Sequence, residues 1–409
     1  MQASPIRVYR EIRDAYLRYY DTAFWLRDSG IRAERRALLE RPGVVFADPL
    51  LEAVLPYDSG PSLRETGAKS GLSEQIIEQL AQMLFRKDGS FKLREHQARA
   101  LAVSLATRPE EPRNVVVTAG TGSGKTECFL LPILARLLIE TAGQSARSEL
   151  HRWWDPATGE GKWRHARTND GREAAVRAMI LYPTNALVED QIARLRRAVA
   201  IGRKVERGSN LYCGRYTGAT LGSGGVPAAS RDSRVREVAQ ELRAMEAERD
   251  GIASDDLDLL SQFPDPRQGE LLTRWDMIAA PPDILVTNYS MLNVMLMRDR
   301  ETPLFGHTRQ WLSADPTRCF TLVIDELHTY RGTHGTEVAL IVRNVLRRLG
   351  LSPDSPQLRC IATSASLDAQ AGAAYVEEFF GVPGRSFEIV PGVQRAIAKR
   401  PPLSRTEFE

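Results

Sequence analysis

Apolar positions change their spacing once along this chain. Over residues 1 to about 90 they recur at helical intervals, as in the stretch from Tyr9 through Ile12, Tyr16 and Leu17 to Trp25. We read residues 1–90 as a small helical domain. Tyr16, Tyr19, Tyr20, Phe24 and Trp25 make this segment aromatic-rich. Such a stripe is expected to pack the domain's core; the sharper reading is a platform on which the bases of a single strand stack. From about residue 91, short apolar and β-branched runs alternate with helical stretches: 114–118, 178–182, 211–216, 283–286, 320–324 and 359–362. Continuous apolar strands separated by helices predict an α/β fold with a parallel sheet covered on both faces. Two segments interrupt the alternation and read as insertions on loops of the sheet. Residues 143–175 are polar and hold Trp153, Trp154 and Trp163; residues 221–275 begin Gly-rich and pass into a charged helix from Val235 to Arg249.

Composition narrows this only a little. With 43% apolar and 26% charged residues over 409 positions, the chain has room for two or three ordinary globular domains. A net charge of +3 fits an anionic partner without singling one out. Cys128, Cys213, Cys319 and Cys360 form no CxxC pair, and the histidines do not fall at zinc spacing. A disulfide framework or structural zinc is therefore not expected, which points to a reducing, cytoplasmic compartment. Met1 to Asp14 is polar and charged and predicts no signal peptide, and no apolar run approaches membrane-spanning length.

The strongest chemistry lies in Ala119-Gly120-Thr121-Gly122-Ser123-Gly124-Lys125-Thr126, which follows an apolar strand and precedes an apolar helix. That is the context of a phosphate-binding loop. Its glycines let successive backbone N–H groups face phosphate oxygens, and the helix N-terminus adds partial positive charge. Lys125 would reach the β- and γ-phosphates, and the Thr126 hydroxyl would ligate Mg2+. The first position of the pattern is Ala119 where glycine is usual. A second element, Phe320 to His328, is an apolar strand ending in adjacent acids. Asp325 would hold Mg2+, and Glu326 would be the base that orients the attacking water.

Together these motifs resemble superfamily 2 helicases of the DExH type, spelled here Asp325-Glu326-Leu327-His328. The resemblance implies a RecA-like ATP-binding motor domain over about residues 91–380. Within it, Leu93-Arg94-Glu95-His96-Gln97 resembles the adenine-recognition motif, with Gln97 reading the base edge. Thr363-Ser364-Ala365-Ser366 resembles the Ser-Ala-Thr motif, which in the family couples hydrolysis to movement between motor domains; His328 joins that coupling set. Turns carrying Thr184 and Asn185, Thr217 and Gly218, and Thr287 and Asn288 resemble the family's nucleic-acid track. Hydroxyls, small residues and helix N-termini suit phosphates and carry no sequence code. Arg194, Arg196, Arg197, Arg203, Lys204 and Arg207 read either as a solvated helix face or as a phosphate-contacting rim. Tyr330 to Gly335, followed by a helix with Arg343, Arg347 and Arg348, narrows the resemblance to large bacterial helicases of the MrfA type, relatives of which occur in antiphage defence.

The resemblance implies ATP, Mg2+ and DNA rather than RNA. Residues 381–409 read as a tail or the start of a further segment, too short for the second RecA-like domain that supplies arginines to ATP in the family. We therefore expect a fragment, or a chain completed by a partner, that binds ATP with weak or absent turnover. Loss of the arginine costs roughly 10³ or more in rate. The alternative is a nucleotide-gated nucleic-acid clamp or scaffold subunit without unwinding. Glu326, which a pure clamp need not keep, stands against it.

Overall fold

The structure, a computed structural model, describes residues 5–47, 49, 56–108, 110–120, 122–142, 149–157, 163–204, 210–227, 232–253, 255–367 and 369–395. Thr121, Arg207, parts of both insertions (143–148, 158–162 and 228–231) and the tail beyond 395 lie outside the described residues. The chain divides into two compact units, Met1–Leu55 and Pro56–Glu409. The boundary thus falls well before the expected residue 90. The reason is packing: Leu63, Ile77 and Leu80 are fully buried in the same apolar cluster as Val115 and Phe129.

The first unit holds α1 (Pro5–Ala23) and α2 (Ser29–Leu39). The Asp28 carboxylate caps α2 by accepting from the Ile31 N–H at 2.9 Å, and Asp21 accepts from Arg35 and Arg36 at 2.9 Å each. Leu17 is the one buried residue of the two helices. Tyr16, Tyr19, Phe24 and Trp25 are exposed, Trp25 at 63%. The expectation that these aromatics pack a core therefore fails. Two helices enclose too little volume, and the rings meet edge to edge on the surface, Tyr16 to Tyr20 at 5.4 Å.

The second unit runs β1 (Ser59–Ser62), α3 (Leu63–Lys69), α4 (Glu74–Phe85), β2 (Lys92–Arg94), α5 (Glu95–Leu105), β3 (Asn114–Thr118) and α6 (Lys125–Thr141). It continues with β4 (Ala178–Tyr182), α7 (Asn185–Lys204), β5 (Cys213–Tyr216), α8 (Ser233–Asp250), α9 (Leu257–Leu260), β6 (Glu270–Leu271) and α10 (Arg274–Ala279). It ends with β7 (Ile284–Asn288), α11 (Tyr289–Met297), α12 (Thr302–Ala314), β8 (Phe320–Ile324), α13 (Gly332–Leu349), β9 (Leu358–Ser364), α14 (Ala369–Phe380) and β10 (Phe387–Pro391). Among the described residues, β3 to β10 form one parallel sheet in the order β10-β3-β9-β8-β4-β7-β5-β6. Every residue of β4, β7, β8 and β9 is buried, as burial on both faces requires. Among the described residues, no helix is long and apolar enough to cross a membrane.

Four strands escaped the sequence pattern, β1 and β2, which pair with each other, and β6 and β10 of the large sheet. β6 is two residues long. β10 lies in the stretch read as a tail, yet it pairs with β3 from Phe387↔Asn114 to Pro391↔Thr118. Pro391 is tolerated because β10 is the edge strand, where a missing N–H costs no ladder bond. The insertions also differ from surface loops: Trp153 and Trp154 are buried, and α8 packs on them. The Trp154 indole donates to Glu246 at 2.8 Å, and Arg243 donates to the Trp154 carbonyl at 2.8 Å. Beneath them, buried Asp276 accepts from the Thr273 hydroxyl (2.6 Å), the Ala166 N–H (2.9 Å) and the Trp153 indole (3.3 Å). At the start of β7, fully buried Asp283 accepts from the Tyr212 N–H at 2.8 Å and from Arg172, with Arg177 at 3.3 Å.

Two outcomes follow from these carboxylates. Asp283→Ala would strand buried Arg172, so urea unfolding should show a loss of about 3–5 kcal/mol; a loss below about 1 kcal/mol contradicts the buried pairing. Burial pushes Asp276 up to about 6 from 3.8, and its three hydrogen bonds oppose this only in part. Folding therefore favours its protonated form. The contribution is full below about pH 4 and is lost as pH rises through about 6, on the order of 3 kcal/mol in total. Stability profiles of the wild type and Asp276→Asn should diverge over that window; parallel profiles would refute it.

Candidate active site

Adjacency in the sheet brings three distant loops to one edge. β3, β9 and β8 are neighbours and parallel, so the loops after Thr118, Ser364 and Ile324 leave from the same end. The phosphate-loop reading rests first on backbone conformation. Gly122 and Gly124 sit at φ 74° and 72°, the left-handed region. A Cβ on Gly124 would also lie 2.4 Å from Gln97 Nε2.

The loop is tied from behind by the segment ahead of it. The Gly120 N–H donates to the Tyr57 hydroxyl at 2.9 Å, and Arg94 donates to the Gly122 carbonyl at 2.7 Å. His96 Nε2 donates to the Ser123 carbonyl at 2.7 Å, and Gln97 Nε2 donates to the Gly124 carbonyl at 3.1 Å. Burial lowers the His96 pKa, so the ring stays neutral with its proton on Nε2. In a trans peptide the N–H points opposite to its carbonyl. Holding the carbonyls of 123 and 124 against α5 therefore turns the Gly124 and Lys125 N–H groups the other way. Gln97 was expected to read an adenine edge. Here its oxygen accepts from the Arg94 N–H at 3.0 Å while its amide group serves Gly124. Tyr57 went unnoticed in the sequence because it lies far upstream of any motif.

Lys125 Nζ lies 3.2 and 3.3 Å from the two carboxylate oxygens of Glu326. Phosphate loop and acids thus meet. Glu326 is a non-glycine residue at φ 51°, ψ 48°, a conformation costing about 1–3 kcal/mol that persists where surroundings over-determine it. One such determinant is Thr363, whose hydroxyl accepts the Glu326 N–H at 3.2 Å and donates to Asp325. Burial raises the Asp325 pKa, against the pull of that Thr363 bond. His328 Nδ1 accepts the Ala365 N–H at 3.3 Å and stands 3.3 Å from Glu326. It therefore joins the acid loop to the 363–366 loop, where Ser364 Oγ accepts the Ser366 N–H at 3.3 Å. The residues fit a magnesium-bound triphosphate. The glycines leave room, Lys125 supplies a cation, Asp325 and Thr126 supply oxygens, and the buried Ser123 hydroxyl has no partner among the described residues.

The second expected set also gathers, since β4, β7 and β5 are neighbours. Asn288 donates to Asn185 across 2.5 Å, and Thr184, Asn185 and Gly218 are exposed. Thr217 and Thr287 are buried instead: the Thr287 hydroxyl donates to the Tyr216 carbonyl at 2.7 Å, and the Thr217 N–H donates to Thr220. Arg274, another residue outside the motifs, holds the Thr217 and Gly218 carbonyls at 2.8 and 3.1 Å. The basic cluster is largely spoken for: Arg196 pairs with Glu270, Arg197 with Asp258, and Arg194 with Glu127.

Residues 94–219 match the model of the DEAD/DEAH box helicase family. The chain is 31% identical over 429 residues to the Druantia protein DruE of Escherichia coli (strain UMEA 4076-1), covering 93% of this chain and 22% of that protein. The chain thus spans about a fifth of the length of the curated relative it matches. Among solved structures, it resembles the DUF1998 helicase MrfA bound to DNA and AMPPNP (20% identity, TM-score 0.44, 82% of this chain and 30% of that one). It also resembles the DEAD-box helicase Mss116 bound to ssRNA and UDP-BeF (14% identity, TM-score 0.46, 83% and 47%).

Gly124→Ala must adopt positive φ and displace Gln97. It should lower stability by about 1–3 kcal/mol and weaken nucleotide binding, read by thermal unfolding with and without Mg·ATP. An unchanged nucleotide-induced shift would contradict the geometry.

Proposed function

Because residues 94–219 carry the sequence of a DEAD/DEAH box helicase domain, we propose that this chain is the N-terminal motor half of an ATP-dependent nucleic-acid helicase or translocase. The observation that carries the reading is the meeting of Lys125 with Glu326, beside Asp325 and Thr363. On this reading a triphosphate competes with Glu326 for Lys125. The Gly124 and Lys125 N–H groups and the α6 N-terminus receive phosphate oxygens. Thr126 and Asp325 would hold Mg2+, whose charge would offset that developing on the phosphates. Glu326, released from Lys125, accepts a proton from the attacking water. Thr363 and His328 relay the change at the acids to residues 364–366.

Nucleic acid would lie over the ends of β4, β5 and β7. Thr184, Asn185 and Gly218 would make direct contacts there, with the other track residues holding those turns in shape. Backbone contacts of this kind position a strand without reading sequence. DNA rather than RNA, a second RecA-like domain from elsewhere in a longer protein or a partner, a cytoplasmic site of action and a role in antiphage defence belong to the same proposal and rest on the resemblance.

Lys125→Ala should weaken Mg·ATP binding at least about tenfold. Glu326→Gln should keep binding and lower single-turnover hydrolysis about 10²-fold or more, measured with the completing motor half present. Hydrolysis unaffected by Glu326→Gln would remove the enzyme reading and leave the clamp.

A further inference from the structure

At the opposite end of the sheet from the phosphate loop, a cavity of about 330 Å3 opens beside Ala178 and Thr321, at the N-terminal ends of β4 and β8. Its wall includes Arg136, Glu140, Arg177, Trp311, Arg318 and Cys319. Most of the charge there is settled. Arg177 takes Glu140 at 3.0 and 3.1 Å, and its guanidinium lies 4.7 Å from the Trp311 ring centre. Arg318 bonds Glu173 and the Trp311 carbonyl at 2.8 Å each. The Asp315 carboxylate accepts from Thr317.

Arg136 is different. Partly buried, it donates to the Ser104 carbonyl at 2.5 Å and makes no ion pair among the described residues. Glu140, one helical turn on and the natural partner, is committed to Arg177. Behind Arg136 stands a buried guanidinium, Arg359, which reaches the same Ser104 carbonyl at 3.4 Å and, among the described residues, otherwise bonds only carbonyls, those of Pro356, Leu358 and Ala106. Burial and the neighbouring arginines push Arg359 down to about 10. Two like charges share one carbonyl oxygen, with no carboxylate between them among the described residues. Uncompensated buried charge is costly, and proteins pair it or bind a counter-ion. Dispersal over five N–H donors makes a guanidinium suited to a planar or tetrahedral oxyanion.

We propose that this cavity binds a small oxyanion, a carboxylate- or phosphate-bearing solute seated on Arg136, at a site separate from the nucleotide. A cavity of this size suits a small molecule. Cys319, in its wall, reports on occupancy, because Cys128, Cys213 and Cys360 are buried.

The test is the rate of Cys319 alkylation by iodoacetamide on the folded chain, read by mass spectrometry, in inorganic phosphate or acetate against chloride at equal ionic strength. Slowing of at least fivefold that saturates with anion concentration is expected, and the stronger of the two anions identifies the phosphate- or carboxylate-bearing class. The slowing should persist in Lys125→Ala, which separates this site from the phosphate loop, and vanish in Arg136→Met. No saturable slowing beyond chloride in the wild type would overturn the proposal whether or not the Met variant folds. Equal slowing in a folded Arg136→Met chain would overturn it as well.

Discussion

The candidate site depends on one constraint: β3, β9 and β8 must lie side by side and run the same way. Lys125, Thr363 and Glu326 are far apart in the chain, and only that strand order makes them neighbours. Parallel pairing places the C-terminal ends of all three strands at one edge, so the loops that follow share one space. The register is held by fully buried apolar residues on both faces, Val115 to Val117, Leu322 to Ile324 and Cys360 to Ala362. Slipping one strand by a residue would exchange its two faces.

Within that frame the site is built from mutual restraint. Tyr57, Arg94, His96 and Gln97 anchor the back of the phosphate loop. Thr363 bonds both the carboxylate of Asp325 and the backbone of Glu326, holding the latter in a conformation that glycine adopts more readily. Lys125 then bridges to Glu326, so the loop and the acid hold each other when nothing else lies between them. On the proposed reading, a phosphate group offered to Lys125 would change the environment of Glu326, and through His328 and Thr363 that change would reach the 363–366 loop. On the proposed reading this is how binding at one edge of the sheet is felt beyond it.

Strands and loops announced themselves unevenly. β3, β4 and β8 coincide with apolar runs read from the sequence, because burial on both faces leaves no polar alternation to blur their ends. β10 did not, since an edge strand that ends in Pro391 among other prolines looks like a tail until β3 is there to pair with it. Gly124, Lys125, Asp325 and Glu326 stand in local motifs and were legible. Tyr57 and Arg274 were not: each acts on a loop remote in sequence, and a single tyrosine or arginine carries no local signal. Thr217 and Thr287 matched a motif, yet their polar groups serve the turns themselves. The aromatics of α1 were misread because helical periodicity shows that a face exists without showing what covers it. Asp276 likewise holds the tryptophan-bearing insertion by contacts that span more than a hundred residues.

The proposed motor requires the phosphate loop and the acids to share one ligand. A crystal structure of the chain with Mg·AMPPNP tests this most directly. The triphosphate should lie between Lys125 and Asp325, with Lys125 Nζ withdrawn from its present 3.2 Å to Glu326 and turned to phosphate oxygen. Nucleotide bound elsewhere, or bound with the Lys125–Glu326 pair unbroken, would contradict it.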